Sequence, residues 1–360
     1  MPILVDRGPG GCSIVAGKGT VAERLQARRH PAGSEWIEIG LVNNMPEAAL
    51  EATEQQFLEL IGAAAGDSWV HLRFFSLPEV PRSERGRSYL SQSYHDAADI
   101  RRAELDGLIV TGTEPKAADL ADEPYWGAFT QLVDWAARNT ISTVWSCLAA
   151  HAAVLHLDGI ARVPLREKCI GVFACDTLAE HPLTQDLPSR PAVPHARWNA
   201  LPQEALVANG YQVLTRSPAA GVDTFVRQNL GRPEESLFLF FQGHPEYGAS
   251  ALLSEFRRDV GRFLKGERDR YPAMPQHYFD AATEAALAAF RQQAERQRSE
   301  ELLAEFPVPA NPALSANWQP FAVTIYRNWL SILSAQKQRL QRPARYMAAL
   351  RLDQTPAPAG

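Results

Sequence analysis

The stretch Ile141-Ser142-Thr143-Val144-Trp145-Ser146-Cys147-Leu148-Ala149-Ala150-His151 decides the fold. A β-branched, apolar run that closes at Cys147 reads as a buried strand, and the alanine-rich residues that follow at once read as a helix. The join is a strand, a sharp turn and a helix, with a thiol at the bend. A thiol placed there faces the positive end of the helix dipole, which favours the thiolate.

Outward from this join the chain alternates strands and helices. Residues 36–42, 70–77 and 108–112 read as strands, the last closing in a Gly112 turn. Ala48, Leu50, Phe57, Leu58, Leu60 and Ile61 mark a helix after the first strand, and Trp126, Phe129, Leu132, Val133 and Trp135 mark another over 123–138. Residues 78–104 are polar and read as a long loop with a short helix. Alternation of this kind predicts an α/β fold with a mostly parallel sheet covered on both faces. Ligands in such folds gather at the carboxyl ends of the strands, where Cys147 and Gly112 both sit.

The second half is less regular. Residues 172–178, 211–216, 224–228 and 237–241 read as strands, some antiparallel, and 250–265 as a helix with Leu252, Leu253, Phe256, Val260 and Phe263 on one side. Beyond Pro272 the composition turns to Ala, Glu, Gln and Arg. Residues 280–305 read as a long, mostly solvated helix, and a shorter helix near 320–340 carries Trp329, Leu330 and Leu333. The expected organisation is a loose arm over 1–34, the main domain over 35–272, a helical extension over 273–345 and a disordered Pro/Ala tail over 346–360.

Composition narrows the function. Of 360 residues 46% are hydrophobic, ample for a core, and the net charge of −5 argues against a general nucleic-acid binder. Cys12, Cys147, Cys169 and Cys175 show no CxxC spacing, so free thiols in a reducing cytoplasm are expected rather than a disulfide framework. No apolar run reaches the roughly 20 residues that span a bilayer. Asp6 and Arg7 interrupt any signal-peptide pattern at the start.

A second motif, Phe241-Gln242-Gly243-His244-Pro245-Glu246-Tyr247, also closes an apolar strand-like run. A cysteine nucleophile needs a base and donors for the oxyanion. His244 offers the base. Glu246, two residues on in an extended segment, points to the same face and can hold the imidazole in its useful tautomer. The backbone N–H of Leu148 is a natural oxyanion donor, and the turn at Gly112 and Thr113 can supply another. Cys147 alone reads as well as an inert buried thiol, and His-Pro-Glu alone as a capped turn. The two motifs in one chain, each closing a strand, favour a Cys-His-Glu enzyme. His151 and His156 are five apart on the nucleophile's helix and face different sides, which suits packing better than metal binding.

The ordered set of motifs resembles the homoserine O-succinyltransferase family, which includes homoserine O-acetyltransferases and has a fold like class I glutamine amidotransferases, flavodoxin-like in outline. The resemblance runs from about Trp36 to Leu340. It rests on Leu41-Val42-Asn43-Asn44-Met45-Pro46, Glu54-Gln55-Gln56-Phe57-Leu58, Asp106-Gly107-Leu108-Ile109-Val110-Thr111-Gly112, Tyr125-Trp126, Ser142-Thr143 before Cys147, Gly243-His244-Pro245-Glu246-Tyr247 and Glu255-Phe256-Arg257-Arg258-Asp259-Val260. It implies a Cys147 acyl-thioester, His244 as proton acceptor with Glu246 as its partner, Lys168 as a substrate contact and Arg258 as the guanidinium for an amino-acid carboxylate. Acyl-CoA, as succinyl-CoA or acetyl-CoA, is then a cosubstrate rather than a bound cofactor. L-homoserine or a similar hydroxy amino acid is the acceptor, and a homodimer is expected, with no nucleic-acid or membrane partner.

Departures from the family pattern fall near the substrates. Thr111-Gly112-Thr113-Glu114-Pro115-Lys116 stands where Thr-Gly-Ala-Pro is usual, and Lys116 falls at the position tied to donor choice, which leans the reading to succinyl-CoA. Glu47 and Ala48 replace basic residues. Ala196, in Pro194-His195-Ala196-Arg197-Trp198, stands where a substrate-contacting serine is usual, which leaves serine open as an acceptor. An amidotransferase-like hydrolase and a non-catalytic binding protein are the competing readings. Ser146 and Leu148, where amidotransferases have glycines beside the nucleophile, weaken the first of these.

Overall fold

The computed structural model describes residues 3–15, 36–228, 235–308 and 317–352, the side chains at 14, 15 and 341–352 excepted. Its centre is a sheet in the order β2-β1-β4-β3-β5-β6-β12-β11-β10-β8. The strands are β1 (Ile3–Asp6), β2 (Cys12–Val15), β3 (Trp36–Val42), β4 (Trp69–Phe75), β5 (Gly107–Thr111), β6 (Ser142–Ser146), β8 (Asp176–Thr177), β10 (Gln212–Ser217), β11 (Gly221–Arg227) and β12 (Leu237–Phe241). The run from β1 through β12 is parallel, while β2 at one edge and β11, β10 and β8 at the other are antiparallel. β7 (Val163–Ala174) and β9 (Ala192–Ala200) form a separate antiparallel pair.

Strand alternation supplies both faces of the sheet. In β12, Leu237, Leu239 and Phe241 enter one core, and Phe238 and Phe240 the other. In β6, Val144 and Trp145 part in the same way. Period-two display makes a continuous apolar strand the signature of a sheet buried on both sides. One face is covered by α1 (Leu50–Ala64) and the long α8 (Gln319–Leu352), the other by α3 (Trp126–Asn139), α4 (Leu148–Asp158) and the short α5 (Gln203–Ala208). Helix α2 (Glu84–Ser93), capped by the Ser83 hydroxyl, lies in the polar stretch 78–104. A third core joins β7 and β9 to α6 (Ala251–Leu264) and α7 (Ala281–Arg296).

Three expectations change. Residues 3–15, expected in the loose arm, form β1 and β2 and extend the sheet; the rest of the arm lies outside the described residues. The segment expected as a solvated helix over 280–305 is α7 and a short 3₁₀ turn, and it buries Leu287, Phe290, Ala294 and Leu302 against α6. The last helix is no appendage: Phe321, Ile325, Trp329 and Leu333, four apart, lie in the same core as β1 and β3. Trp329 also donates from Nε1 to Ser142 Oγ on β6, at 2.9 Å. Its backbone runs to Leu352, into the stretch expected as tail, whose residues 353–360 lie outside the described residues.

Sheet register positions the site. Thr111 of β5 and Phe241 of β12 both pair with Ser146 of β6. Three parallel strands therefore end in one row, and the residues just beyond them, Gly112, Cys147 and Gln242, emerge side by side at the carboxyl edge.

Candidate active site

Cys147 turns the chain from β6 into α4 with φ 50° and ψ −108°, in the region that β-carbon sterics disfavour. Such a conformation costs about 1–3 kcal/mol and persists where the surroundings fix it. Here the Cys147 N–H donates to Phe241 O at 2.7 Å, and Cys147 O accepts from the N–H groups of Ala150 (3.0 Å) and His151 (3.3 Å). The turn after β5 presses on the same place. A β-carbon at Gly112 would lie 2.4 Å from Leu148 Cβ and 3.2 Å from Ala149 N, so only glycine fits. Thr113, half-buried, follows directly. Leu148 is the first residue of α4, and its N–H has no acceptor within the helix.

His244 and Glu246 arrive from the loop after β12. His244 Nδ1 and Glu246 Oε1 are 2.8 Å apart, and both residues are buried. An ionised carboxylate can only accept, so Nδ1 carries the proton and Nε2 is left to face the Cys147 sulfur. Burial alone would lower the imidazole pKa. The Cys147 sulfur and the Glu246 carboxylate outweigh it, by charge and by hydrogen bonds, and hold His244 well above the ordinary histidine range. Ser146 Oγ reaches Glu246 Oε1 at 3.4 Å. Sulfur, imidazole and carboxylate thus converge.

A charged network adjoins this triad. The Tyr247 ring stacks on His244 with centroids 4.1 Å apart, and its hydroxyl donates to Glu255 Oε1. Glu255 and Asp259 lie one turn apart on α6, a spacing that puts both carboxylates on one face. Lys168 Nζ, buried, bridges them at 3.1 and 2.6 Å. Burial would raise the Glu255 pKa, but Lys168, His244, the Tyr247 hydroxyl and Arg258 bring it below the usual carboxylate value. Arg258 is half-exposed and rests on the same pair, 3.4 Å from Glu255 and 3.5 Å from Asp259. Lys168 and Arg258 are therefore neighbours beside the triad.

Ala196 lies on β9 opposite Ile170 and packs toward α6, while His195 and Arg197 on either side of it are buried in the other direction. Lys116 is exposed. Its N–H and that of Ala117 are clasped by Glu123 Oε1, at 2.5 and 2.7 Å.

Sequence reasoning passed over Tyr247, Glu255, Asp259 and Arg162. The first three stand inside motifs already quoted, and the four-residue spacing of the two acids was the available signal. Arg162 follows α4, half-buried, with no hydrogen-bonded or ion-paired partner among the described residues. Burial lowers its pKa, and Tyr125, Glu123, Asp119 and the Cys147 sulfur act on it in the opposite sense. The Tyr125 hydroxyl is itself buried without a hydrogen-bond partner among the described residues.

Among known proteins, the homoserine O-succinyltransferase family model matches residues 18–340. A homoserine O-succinyltransferase of Rhodopseudomonas palustris is 48% identical over 338 residues, 93% of this chain and 100% of that protein. One of Thiothrix nivea is 41% identical over 297 residues, 82% of this chain and 81% of its own length. A solved glutamine amido transferase from Methylobacillus flagellatus superposes with a TM-score of 0.47 at 16% identity, covering 83% of this chain and 96% of that one. The chain belongs to the homoserine O-succinyltransferase family.

Proposed function

We propose that this enzyme moves a succinyl group from coenzyme A to the hydroxyl of L-homoserine by way of a thioester on Cys147. The observation that carries the reading is the His244 ring, tied at Nδ1 to Glu246, held charged by the neighbouring Cys147 sulfur and stacked on a tyrosine that reaches the Lys168 network. In the first half-reaction the sulfur attacks the donor's carbonyl, its proton passes to His244, and the carbon–sulfur bond to coenzyme A breaks as His244 returns that proton to the leaving thiolate. In the second, His244 takes the proton of the homoserine hydroxyl as its oxygen attacks the Cys147 thioester, and then protonates the departing cysteine sulfur. The N–H of Leu148 and the turn at Thr113 face the developing oxyanion.

Recognition divides between two sides of the cleft. Arg258 is suited to the acceptor's carboxylate, because a guanidinium can pair with it bidentately, and Glu255 and Asp259 to its ammonium group. Arg162, a half-buried cation within the electrostatic reach of the Cys147 sulfur and with no hydrogen-bonded or ion-paired partner among the described residues, suits the far carboxylate of a succinyl group better than the exposed Lys116 does. The four cysteines are free, in keeping with a reducing cytoplasm, and among the described residues no helix is long and apolar enough to cross a membrane.

Initial rates of coenzyme A release, measured over a matrix of succinyl-CoA and acetyl-CoA against homoserine and serine, test the reading. Parallel double-reciprocal lines, with succinyl-CoA and homoserine the most efficient pair, are expected. Intersecting lines would break the covalent route, and glutamine hydrolysis without coenzyme A would favour an amidotransferase-like hydrolase.

A further inference from the structure

We propose that Arg197, His195 and Asp223 form a buried relay behind the substrate cleft that holds the Gly243–His244 peptide in its working position, with His195 the positioning residue at its centre. The inference rests on the role given above to His244.

The peptide is held by two strands. His244 N–H donates to Pro194 O of β9 at 2.8 Å, and Gln242 N–H donates to Asp223 O of β11 at 2.9 Å. Gly243, between them, is wedged. A β-carbon there would meet Asp223 Oδ1 at 2.6 Å, Val193 Cγ1 at 2.7 Å and Pro194 O at 2.9 Å. The Gly243 amide also faces the Asp223 side chain and favours its charged form. Any shift of that carboxylate is a shift of the residue that precedes the catalytic imidazole.

Asp223 is wholly buried, so what fixes it must be protein. Oδ2 accepts from the hydroxyls of Thr215 and Thr224, each at 2.8 Å. Oδ1 faces His195 Nε2 at 3.4 Å, and His195 too is wholly buried. The state of that ring follows from its other side. Arg197 Nε donates to His195 Nδ1 at 3.3 Å, and a guanidinium has no acceptor to offer. Nδ1 must therefore be bare, which places the ring's one proton on Nε2, the nitrogen nearer Asp223. Burial, Arg197 and His244 all disfavour a second proton on this ring. Arg197 is locked in turn, donating to Asn199 O at 2.7 Å and to Ala220 O. Arg197 thus donates to His195, whose Nε2 in turn faces Asp223 Oδ1 at 3.4 Å; neither of these two atoms has another partner among the described residues. The Gly243 amide meets the same carboxylate.

Two polar substitutions separate this role from mere packing. Gln at 195 places its amide nitrogen where Nε2 is, so H195Q keeps a donor facing Asp223 Oδ1. Asn places its amide near Nδ1, so H195N removes the polar atom that faces Oδ1. In the full chain, well below either variant's melting temperature, H195Q is expected to acylate Cys147 from succinyl-CoA at least about tenfold faster than H195N, with KM for succinyl-CoA alike in both, since a misplaced catalytic group lowers the chemical step and not the binding. Equal rates in the two variants would overturn the proposal, as would a change confined to KM. Alkylation of Cys147 by iodoacetamide, followed by peptide mapping, makes the same comparison without an acyl donor. A failure of the acyl-transfer reading would show as a wild-type enzyme that forms no adduct, while the alkylation rates still decide the relay.

Discussion

Two buried histidines stand on either side of one loop and are driven in opposite directions. His244 lies between a sulfur and a carboxylate and is held well above the ordinary histidine pKa, against the effect of burial. His195, behind it, is depressed by burial and further by Arg197 and His244 itself. Burial is common to both, so the neighbouring charges decide which ring is held protonated and which is held neutral. The two also pull stability in opposite senses. The His244 contribution is full below the unfolded pKa and is lost as pH rises through the folded one; the His195 contribution is full above the unfolded pKa and is lost as pH falls through the folded one.

The largest way to break this contrast is to take the carboxylate from the first ring. E246Q keeps the shape and removes the charge that holds Nδ1–H, and should lower kcat about 10³- to 10⁴-fold with the fold intact, read by steady-state kinetics and circular dichroism. Next comes the buried cation beside the triad. K168M leaves Glu255 and Asp259 facing each other without Lys168 and should cost about 3–5 kcal/mol in denaturant unfolding. A loss below about 1 kcal/mol would show those acids to be solvated, as exposed pairs are.

Donor recognition gives a smaller effect. R162Q should cut kcat/KM for succinyl-CoA about 10- to 100-fold, the worth of a hydrogen bond to a charged group, while acetyl-CoA, which lacks the carboxylate, is unaffected. Equal losses for both donors would move Arg162 from specificity to structure. The smallest effect concerns a third buried ring. Burial and then Arg197 push His151 down to about 3 from 6.5, against the bond between its Nε2 and Gln242. Its contribution to stability is whole above pH 6.5 and drains away toward pH 3, as the unfolded chain takes up the proton. H151Q keeps a donor near that nitrogen and should flatten the slope of unfolding free energy against pH in this window by about one proton, measured by urea titrations at stepped pH.

Much of the triad could be read from local pattern. Cys147 and His244 each close an apolar strand, and parallel pairing of β5, β6 and β12 then sets their ends in one row. Lys168 and Arg258 had no local signal and came through family resemblance alone. The Tyr247–Glu255–Lys168 network joins residues far apart in the chain, and the His195–Asp223 contact crosses from β9 to β11; neither leaves a periodic trace in either segment. β1 was missed because four residues, Ile3–Asp6, hemmed in by Arg7, Gly8 and Pro9, are too short to show alternation. Helix α7 reads as solvated from sequence because Leu287, Phe290 and Ala294 make a narrow stripe among Ala, Glu, Gln and Arg, although three-and-four spacing is what a packed helix needs.

The central claim is a covalent one, and intact-protein mass spectrometry after mixing with succinyl-CoA alone meets it directly. The expected result is a mass gain of one succinyl group, mapped to Cys147, absent in C147A and discharged on adding homoserine. A chain that turns over homoserine with no adduct at Cys147, or a C147A variant that keeps its activity, would contradict the account.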